Sequence, residues 1–106
     1  MKNKSKFIND RRSKLFVFEK DKNFSFLGKR LFIIFGKTGQ VRGTHAHKKQ
    51  KQYLICVNGE CEVTLDNGYD EKKVILKDPQ VGIEIEPMVW SKQVYKKKNT
   101  KILVLC

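Results

Sequence analysis

Residues 52–76 read QYLICVNGECEVTLDNGYDEKKVIL, and two Asn-Gly pairs divide this stretch into three segments rich in β-forming residues. Asn-Gly favours the type I′ turn of a β-hairpin, because both central residues of that turn need positive φ. We therefore expect Asn58-Gly59 to join the first segment to the second. Asn67-Gly68 would join the second to the third, which predicts a three-strand meander in the middle of the chain.

The sequence on both sides of this stretch has the same character. Its apolar runs are short and rich in Val, Ile, Phe and Tyr, and Gly, Asn or Pro interrupts them roughly every 8 to 12 residues, as in a β-sandwich or barrel. No segment has the apolar periodicity of a helix, so we expect an all-β protein. The pattern predicts strands at 14–18, 30–35, 52–57, 60–66, 72–77, 82–85 and 102–105.

Two of the predicted strands indicate how the sheets are layered. In 60–66, Cys61, Val63 and Leu65 alternate with polar residues, which is the period of a strand with one buried and one exposed face. Segment 31–35 is apolar throughout, so we expect both of its faces to be covered. Together the two patterns predict a closed barrel or two packed sheets. The polar residues expected on the exposed face are Glu60, Glu62, Thr64 and Asp66.

The length and composition predict one folded domain spanning residues 1–106. A chain of 106 residues, 40% of them apolar and 10% aromatic, can form one hydrophobic core. The formal net charge of +12 would attract nucleic acid or a small molecule that carries a diphosphate. The lysines are scattered along the chain, so we favour a solvated basic surface without a nucleic-acid partner. A basic nucleic-acid-binding barrel stays open as an alternative.

The cysteine and hydropathy patterns predict a cytoplasmic protein. The three cysteines are odd in number and show no CxxC spacing, and Cys56 and Cys61 lie in strand-like segments, as reduced core cysteines do. The residues after Met1 are polar and rich in lysine, unlike a secretion signal. No window approaches the roughly 18 apolar residues of a membrane span, so we expect no membrane partner.

The only two histidines, His45 and His47, stand two residues apart, so in a strand both side chains point to the same face. An HxH pair alone is as typical of a structural pair as of a functional one. Here Gln52 follows His47 after four residues, and Gly59 follows after six more, a spacing that resembles the first motif of the cupins. The segment 82–91 resembles their second motif.

The cupin resemblance implies a double-stranded β-helix, or jelly-roll barrel, and the departures from it imply a site without metal. Cupins that bind a metal hold it with the two histidines, an acidic residue and a later histidine. Here Gln52 replaces the acidic residue, and Ser91 stands where the later histidine is expected. An amide and a hydroxyl are weaker ligands than carboxylate and imidazole, so we expect no metal and no other cofactor.

Within the cupins, RGTHAH at 42–47 and PMVW at 87–90 resemble the sugar 3,4-ketoisomerase (WxcM-like) family, and the resemblance runs from about Asp10 to Cys106. It implies an isomerase that moves the carbonyl of dTDP-linked 4-keto-6-deoxyglucose from C4 to C3, supplying bacterial surface polysaccharides such as O-antigen. It also implies a homodimer whose subunits exchange amino-terminal strands, here within residues 1–20.

This reaction gives each matching residue a role. An imidazole can both remove and return the proton next to a ketone, because it titrates near neutrality. The resemblance implies that His47 is the principal base and His45 its partner. The enediolate that forms needs a hydrogen-bond donor, for which Arg42 and Gln52 are candidates. The expected substrate-binding residues are Arg42, Gln52, Arg30 and Trp90.

Three departures from the family pattern support an alternative without turnover. Phe32 and Ile33 stand where the family usually has a tyrosine, and Ser91 replaces a histidine. The chain ends at Cys106, directly after an apolar strand, whereas family members usually continue further. The alternative function is a non-catalytic module that binds a nucleotide sugar. For Trp90, a position in the core is the structural alternative.

Overall fold

The computed structural model describes residues 6–9, 13–19 and 30–106, which form ten β-strands. None of these residues belongs to a helix long and apolar enough to cross a membrane. All seven predicted strands are present, with ends within two residues of the prediction, and three further strands were not predicted. Those three are β1, β4 and β9 in the numbering that follows. The strands are β1 (Lys6–Asn9), β2 (Ser13–Glu19), β3 (Arg30–Gly36), β4 (Val41–Ala46), β5 (Gln52–Asn58), β6 (Cys61–Asp66), β7 (Glu71–Leu76), β8 (Gly82–Ile85), β9 (Trp90–Tyr95) and β10 (Thr100–Leu105).

The strands form two antiparallel sheets that pack face to face. The six-stranded sheet has the order β1-β2-β3-β10-β5-β8, and the four-stranded sheet has the order β4-β9-β6-β7. Leu54, Cys56 and Ile102 from the first sheet and Val63 and Tyr95 from the second are fully buried in one core. The predicted all-β fold with two packed sheets is confirmed, and its architecture is that of a jelly roll.

The segment 52–76 does not form the meander that its two Asn-Gly pairs predict. β5 pairs with β10 and β8, whereas β6 pairs with β9 and β7, so the chain crosses from one sheet to the other between them. Gly59 lies so close to β10 that a Cβ there would be 2.7 Å from the Cα of Thr100. The Asn58 side chain donates a hydrogen bond of 2.7 Å to the backbone oxygen of Asn99. Contacts with a distant segment of the chain therefore place this turn.

The second Asn-Gly pair does join a hairpin, but through a longer loop than the type I′ turn predicted. Residues 67–70 connect β6 to β7, and of these only Gly68 has positive φ. The Oδ1 atom of Asn67 accepts hydrogen bonds of 2.8 Å from the backbone N–H groups of Tyr69 and Asp70. The Asn67 side chain closes the loop through these hydrogen bonds, so the Asn67 backbone does not need the positive φ that a type I′ turn requires.

Burial in β6 follows the predicted alternation only in part. Cys61 and Val63 are buried on the inner face, as predicted. Thr64 lies on the opposite face but is also buried, contrary to the prediction. Its cross-strand partners are Lys73 and Lys92, and the aliphatic stems of lysines can cover a short side chain between them.

The prediction that both faces of 31–35 are covered is wrong for the outer face. The four-stranded sheet packs on the inner face, where Ile34 is buried, whereas Phe35 on the outer face is 36% exposed. Phe16 and Phe7 continue the same face, with ring centroids 5.1 Å apart both between Phe7 and Phe16 and between Phe16 and Phe35. The six-stranded sheet therefore presents a row of aromatic rings away from the core.

Gly59 and Gly68 are a matched pair for testing the crossing between sheets, because both have positive φ but only Gly59 is confined. A Cβ at Gly68 meets nothing within 4 Å, so Gly68→Ala should cost about 1 kcal/mol of unfolding free energy for its left-handed backbone. Gly59→Ala should cost roughly 1–3 kcal/mol more, because its Cβ overlaps Thr100. Urea unfolding measures both losses, and equal losses would contradict close packing of the crossing against β10.

Candidate active site

A cavity of about 170 Å³ opens between the two sheets and gathers most of the predicted site residues. Five of the six line it, and Trp90 does not. Arg30 lies in β3, Arg42 and His45 lie in β4, His47 follows β4, and Gln52 begins β5, so both sheets contribute to one site. The lining residues are Arg30, Phe32, Ile34, Arg42, Gly43, His45, His47, Gln50, Gln52, Ser91, Gln93 and Val104.

A β-bulge in β4 brings Arg42 to the same side as the histidines. Gly43 and Thr44 both have positive φ, at 93° and 55°, and the pairing with β9 shifts register at this point. In a regular strand, Arg42 and His45 would face opposite sides because they are three residues apart. The extra residue of the bulge changes that alternation, so both side chains reach the cavity.

The two imidazoles face each other across a short contact. Their Nε2 atoms are 3.2 Å apart, and the ring planes meet at 78°. The Nδ1 atom of His45 lies 2.5 Å from the backbone oxygen of Gly43. A carbonyl oxygen only accepts, so Nδ1 of His45 carries a proton, and the neutral ring then has its lone pair on Nε2. His47 must donate from its own Nε2, so the neutral pair shares one proton between the rings.

The surroundings of His47 keep its imidazole neutral. Partial burial, and then the charge of His45, lower the pKa of His47 below its usual value of about 6.5. The backbone oxygen of His47 also accepts a hydrogen bond of 2.6 Å from the N–H of Met88. Met88 has φ of 72° and follows Pro87, the arrangement of a type II turn, which usually has glycine at this position. This turn holds the end of β4 against the segment before β9.

The polar groups around the histidines are donors and cations. Arg30 and Arg42 supply guanidinium groups, and Arg30 lies with its Cζ 5.0 Å from the ring centroid of Phe32. Backbone hydrogen bonds of 3.0 and 3.1 Å tie Arg30 to Cys106 in both directions. Among the described residues, no carboxylate or thiol lines the cavity. Its electrostatic field therefore favours an anionic ligand.

Gln50 and Gln93 line the cavity although the sequence did not point to them. Gln50 lies in the loop after His47, where glutamine reads as an ordinary loop residue. Gln93 is buried in β9, two residues after Ser91. The period of a strand places Ser91 and Gln93 on one face. This spacing is the signal that could have found Gln93 once Ser91 was identified.

Comparison with known proteins places the chain in one family. The model of the FdtA family, described as WxcM-like, C-terminal, matches residues 3–106. The chain belongs to this family. A curated TDP-4-oxo-6-deoxy-alpha-D-glucose-3,4-oxoisomerase from Aneurinibacillus thermoaerophilus is 44% identical over 86 residues, which are 80% of the chain and 62% of that relative.

Several solved structures share the fold. WlaRA, a TDP-fucose-3,4-ketoisomerase from Campylobacter jejuni, is 36% identical, with a TM-score of 0.71 over 97% of this chain and 77% of that one. QdtA, a sugar 3,4-ketoisomerase from Thermoanaerobacterium thermosaccharolyticum solved with TDP, is also 36% identical, with a TM-score of 0.70 over 97% and 76% of the two chains. CapF from Staphylococcus aureus, at 12% identity and a TM-score of 0.79, shares the fold alone.

The structure does not bring Trp90, the remaining predicted substrate-binding residue, into the cavity of this WxcM-like chain. Trp90 precedes Ser91 in β9, and Ser91 lines the cavity, so the alternation of the strand turns Trp90 to the other face of the sheet. Its cross-strand neighbours there are Ala46 and Asp66. Trp90 therefore does not line this cavity, and its predicted role in substrate binding stays a prediction.

Phe32 and Ser91, where the chain departs from the family pattern, both line the cavity. The donor set that results does not fit the metal site of cupins. Beside His45 and His47 it offers the amide of Gln52 and the hydroxyl of Ser91, which are weaker ligands than the carboxylate and imidazole of a metal-binding cupin. In the described part of the chain, no three His, Cys, Asp or Glu side chains are grouped so that they could hold one metal ion.

Replacing His45 should raise the pKa of His47. His45→Ala removes one of the two causes that lower this pKa, because a methyl group cannot become positive beside the imidazolium of His47. Burial is the larger cause and stays in part, so the rise should stop below the usual value. An NMR titration of the ring protons follows His47 directly, since it is the only histidine left in this variant. An unchanged or lower pKa would show that the rings are not coupled.

Proposed function

We propose that the protein is a sugar-nucleotide 3,4-ketoisomerase that moves the carbonyl of dTDP-linked 4-keto-6-deoxyglucose from C4 to C3. The chain spans 62% of the curated oxoisomerase that it matches, and a variant of QdtA was solved with TDP-4-keto-6-deoxyglucose. The observation that carries the proposal is the facing pair of His45 and His47 in a cavity with two guanidinium groups. The reaction requires a neutral base and a site that binds an anionic substrate. The histidine pair supplies the base, and the two guanidinium groups favour the anion.

In the proposed reaction, His47 accepts the proton from C3, and the C4 carbonyl becomes an enediolate oxygen. The C3 hydroxyl then loses its proton as C3 becomes the carbonyl, while C4 and its oxygen each gain one proton. The product contains the same atoms as the substrate, so no oxidant or reductant is consumed. His45 shares the extra proton of His47 through the contact between their Nε2 atoms, which distributes the positive charge over two rings.

Arg42 and Gln52 are the proposed donors to the enediolate oxygen. Arg42 precedes the bulge and lies on the same strand face as His45, so its guanidinium can donate hydrogen bonds to the developing anion. Gln52 begins β5 on the other side of the cavity and offers an amide N–H. Arg30, which enters from β3, is proposed to bind the diphosphate. The proposal requires no metal and no cofactor, since the charge is met by these donors.

Solvent exchange tests the proposed reaction. Incubation with the 4-keto nucleotide sugar in deuterium oxide should introduce deuterium at C3, which NMR detects, and added chelator should leave the rate unchanged. His47→Ala should abolish exchange and keep the melting temperature, because the lost imidazole comes from a cavity rather than from the core. Full exchange by this variant would remove His47 from the mechanism, and a strict requirement for metal would contradict the donor argument.

Other outcomes of the same experiment identify the alternatives. Saturable binding of the nucleotide sugar without exchange by the unaltered chain would favour a non-catalytic binding module, which Phe32 and Ser91 motivate. Salt-sensitive retention on DNA without affinity for thymidine diphosphate would favour a nucleic-acid-binding barrel, which the charge of +12 motivates. We favour the isomerase without a nucleic-acid or membrane partner, because the only nucleotide-related function among the named relatives is that of sugar isomerases.

We infer that two copies of the chain associate through the outer face of the six-stranded sheet. This face carries the row of Phe7, Phe16 and Phe35, and Phe7 is 50% exposed. An aromatic row of this kind gains free energy when it leaves water. β1 pairs with β2, and β2 pairs with β3 of the same chain, with Phe16 opposite Ile33. An exchange of β1 and β2 between copies would keep that register. Residues 1–20 are thus the proposed exchanged arm.

Charge substitutions on the two sheets test this dimer. Phe35→Glu places a carboxylate between its cross-strand partners Lys14 and Lys101, so the single chain should stay folded while association weakens at least tenfold. Ile75→Lys is the control, because it adds a charge beside Glu62 on the outer face of the other sheet. Sedimentation equilibrium should give a monomer only for Phe35→Glu. A monomeric unaltered chain, or a dimer of unchanged affinity in this variant, would overturn the interface.

We propose that the enzyme works in the cytoplasm, in the synthesis of surface polysaccharides. Cys56 and Cys61 are buried and Cys106 is partly buried, and all three are free thiols. Free thiols are typical of proteins in a reducing compartment. Burial raises the pKa of the Cys61 thiol to about 12, so it stays protonated and inert.

A further inference from the structure

Gln93 is an amide in an unusual place for a structural residue. It is 7% exposed and lines the cavity, with Arg42 opposite it on β4 and Val63 opposite it on β6. A buried amide costs free energy unless its donors and acceptor find partners. The side chain lines the cavity, so any N–H group of the amide without a protein partner can serve a ligand there.

Tyr95 fixes which end of this amide faces the cavity. Its hydroxyl lies 3.3 Å from Oε1 of Gln93 and donates a hydrogen bond to it. Tyr95 itself is fully buried and cannot move, because its backbone bonds to Gln40 at 3.1 Å and Gly39 at 2.7 Å, and Gly36 lies against its ring. Since Oε1 is occupied by Tyr95, the amide offers its two N–H donors to a ligand.

We propose that Gln93 is a catalytic donor that binds the substrate oxygen on which negative charge develops, and that Tyr95 is its positioning residue. This assignment rests on the isomerase function proposed above. A preorganised neutral donor stabilises an enediolate without adding a positive charge that would make His47 a weaker base. Phe32 adds no hydroxyl to this cavity, so the amide of Gln93 supplies a donor that the aromatic ring cannot.

Gln93→Leu tests the catalytic role. It should lower kcat for exchange at C3 by about 100-fold to 1,000-fold, the loss typical of one donor to a developing oxyanion. The affinity for thymidine diphosphate should stay within about twofold, because the donor acts on the sugar rather than on the diphosphate. Gln80→Leu, which changes an exposed glutamine in the loop before β8, is the matched control and should keep the full rate.

Gln93→Glu keeps the shape of the side chain and its acceptor for Tyr95, and it guards against loss of folding in the leucine variant. It should lose kcat as well, because the donors are gone. A carboxylate in the cavity favours protonated imidazole, so the acid limb of the pH profile should also move to higher pH. The displacement shows that position 93 lies beside the histidine pair, and the loss of kcat at the new pH optimum reports the missing donors.

Tyr95→Phe tests the positioning role. Removal of the hydroxyl frees the amide to turn, so kcat should fall by about tenfold while KM changes little. Tyr69→Phe, at a residue that is 95% exposed, is the control and should behave as the unaltered chain. Equal melting temperatures of the two variants would separate the effect from loss of stability.

The outcomes distinguish the two proposals. Exchange by the unaltered chain with a full rate in Gln93→Leu would overturn the role of Gln93 and leave the isomerase proposal standing. A loss that falls on KM and on diphosphate affinity, with kcat unchanged, would also overturn it. Absence of exchange in the unaltered chain would overturn the isomerase proposal, and the assignment of Gln93 would fall with it.

Discussion

The geometry of the site depends on the bulge that Gly43 and Thr44 form in β4. Both residues have positive φ, a backbone state that is unfavourable for threonine in particular. The strain is offset locally, because the Thr44 hydroxyl donates to the backbone oxygen of Gly43 at 2.7 Å. The result is a cluster of one guanidinium and two imidazoles on a single strand face, which the regular alternation of a strand forbids.

The same bulge also sets the protonation of the histidine pair. The carbonyl of Gly43 that accepts from the Thr44 hydroxyl also accepts from Nδ1 of His45. Many catalytic imidazoles are oriented by a carboxylate, which favours the protonated ring. A backbone carbonyl fixes the tautomer without a full negative charge, so orientation is achieved while partial burial still lowers the pKa of His47. A neutral base is thereby kept beside two arginines.

The parts of the fold that the sequence predicts are those set by local alternation, and the parts it misses are set by distant contacts. The strands of segment 52–76 were predictable, but their pairing was not, because Gly59 is placed by Thr100 rather than by its own turn. β9 was missed since its inner face carries Ser91 and Gln93, which do not read as a buried strand face. β4 was missed because the bulge interrupts its alternation. Both missed strands carry site residues, so the features that obscured them are those that form the cavity.

Phe32 and Ser91 change what the cavity can do with a proton. A phenol or a third imidazole at these positions would add a group able to hold or deliver one, whereas a phenyl ring adds none and an aliphatic hydroxyl titrates far above neutrality. Of the described residues that line the cavity, only His45 and His47 have side chains suited both to accept and to return a proton. In the proposed reaction this pair must therefore both take the proton from C3 and deliver one to C4. When His47 takes the C3 proton, the proton already on its Nε2 can pass to Nε2 of His45, so the two histidines act as one base and the remaining groups bind, orient and stabilise charge.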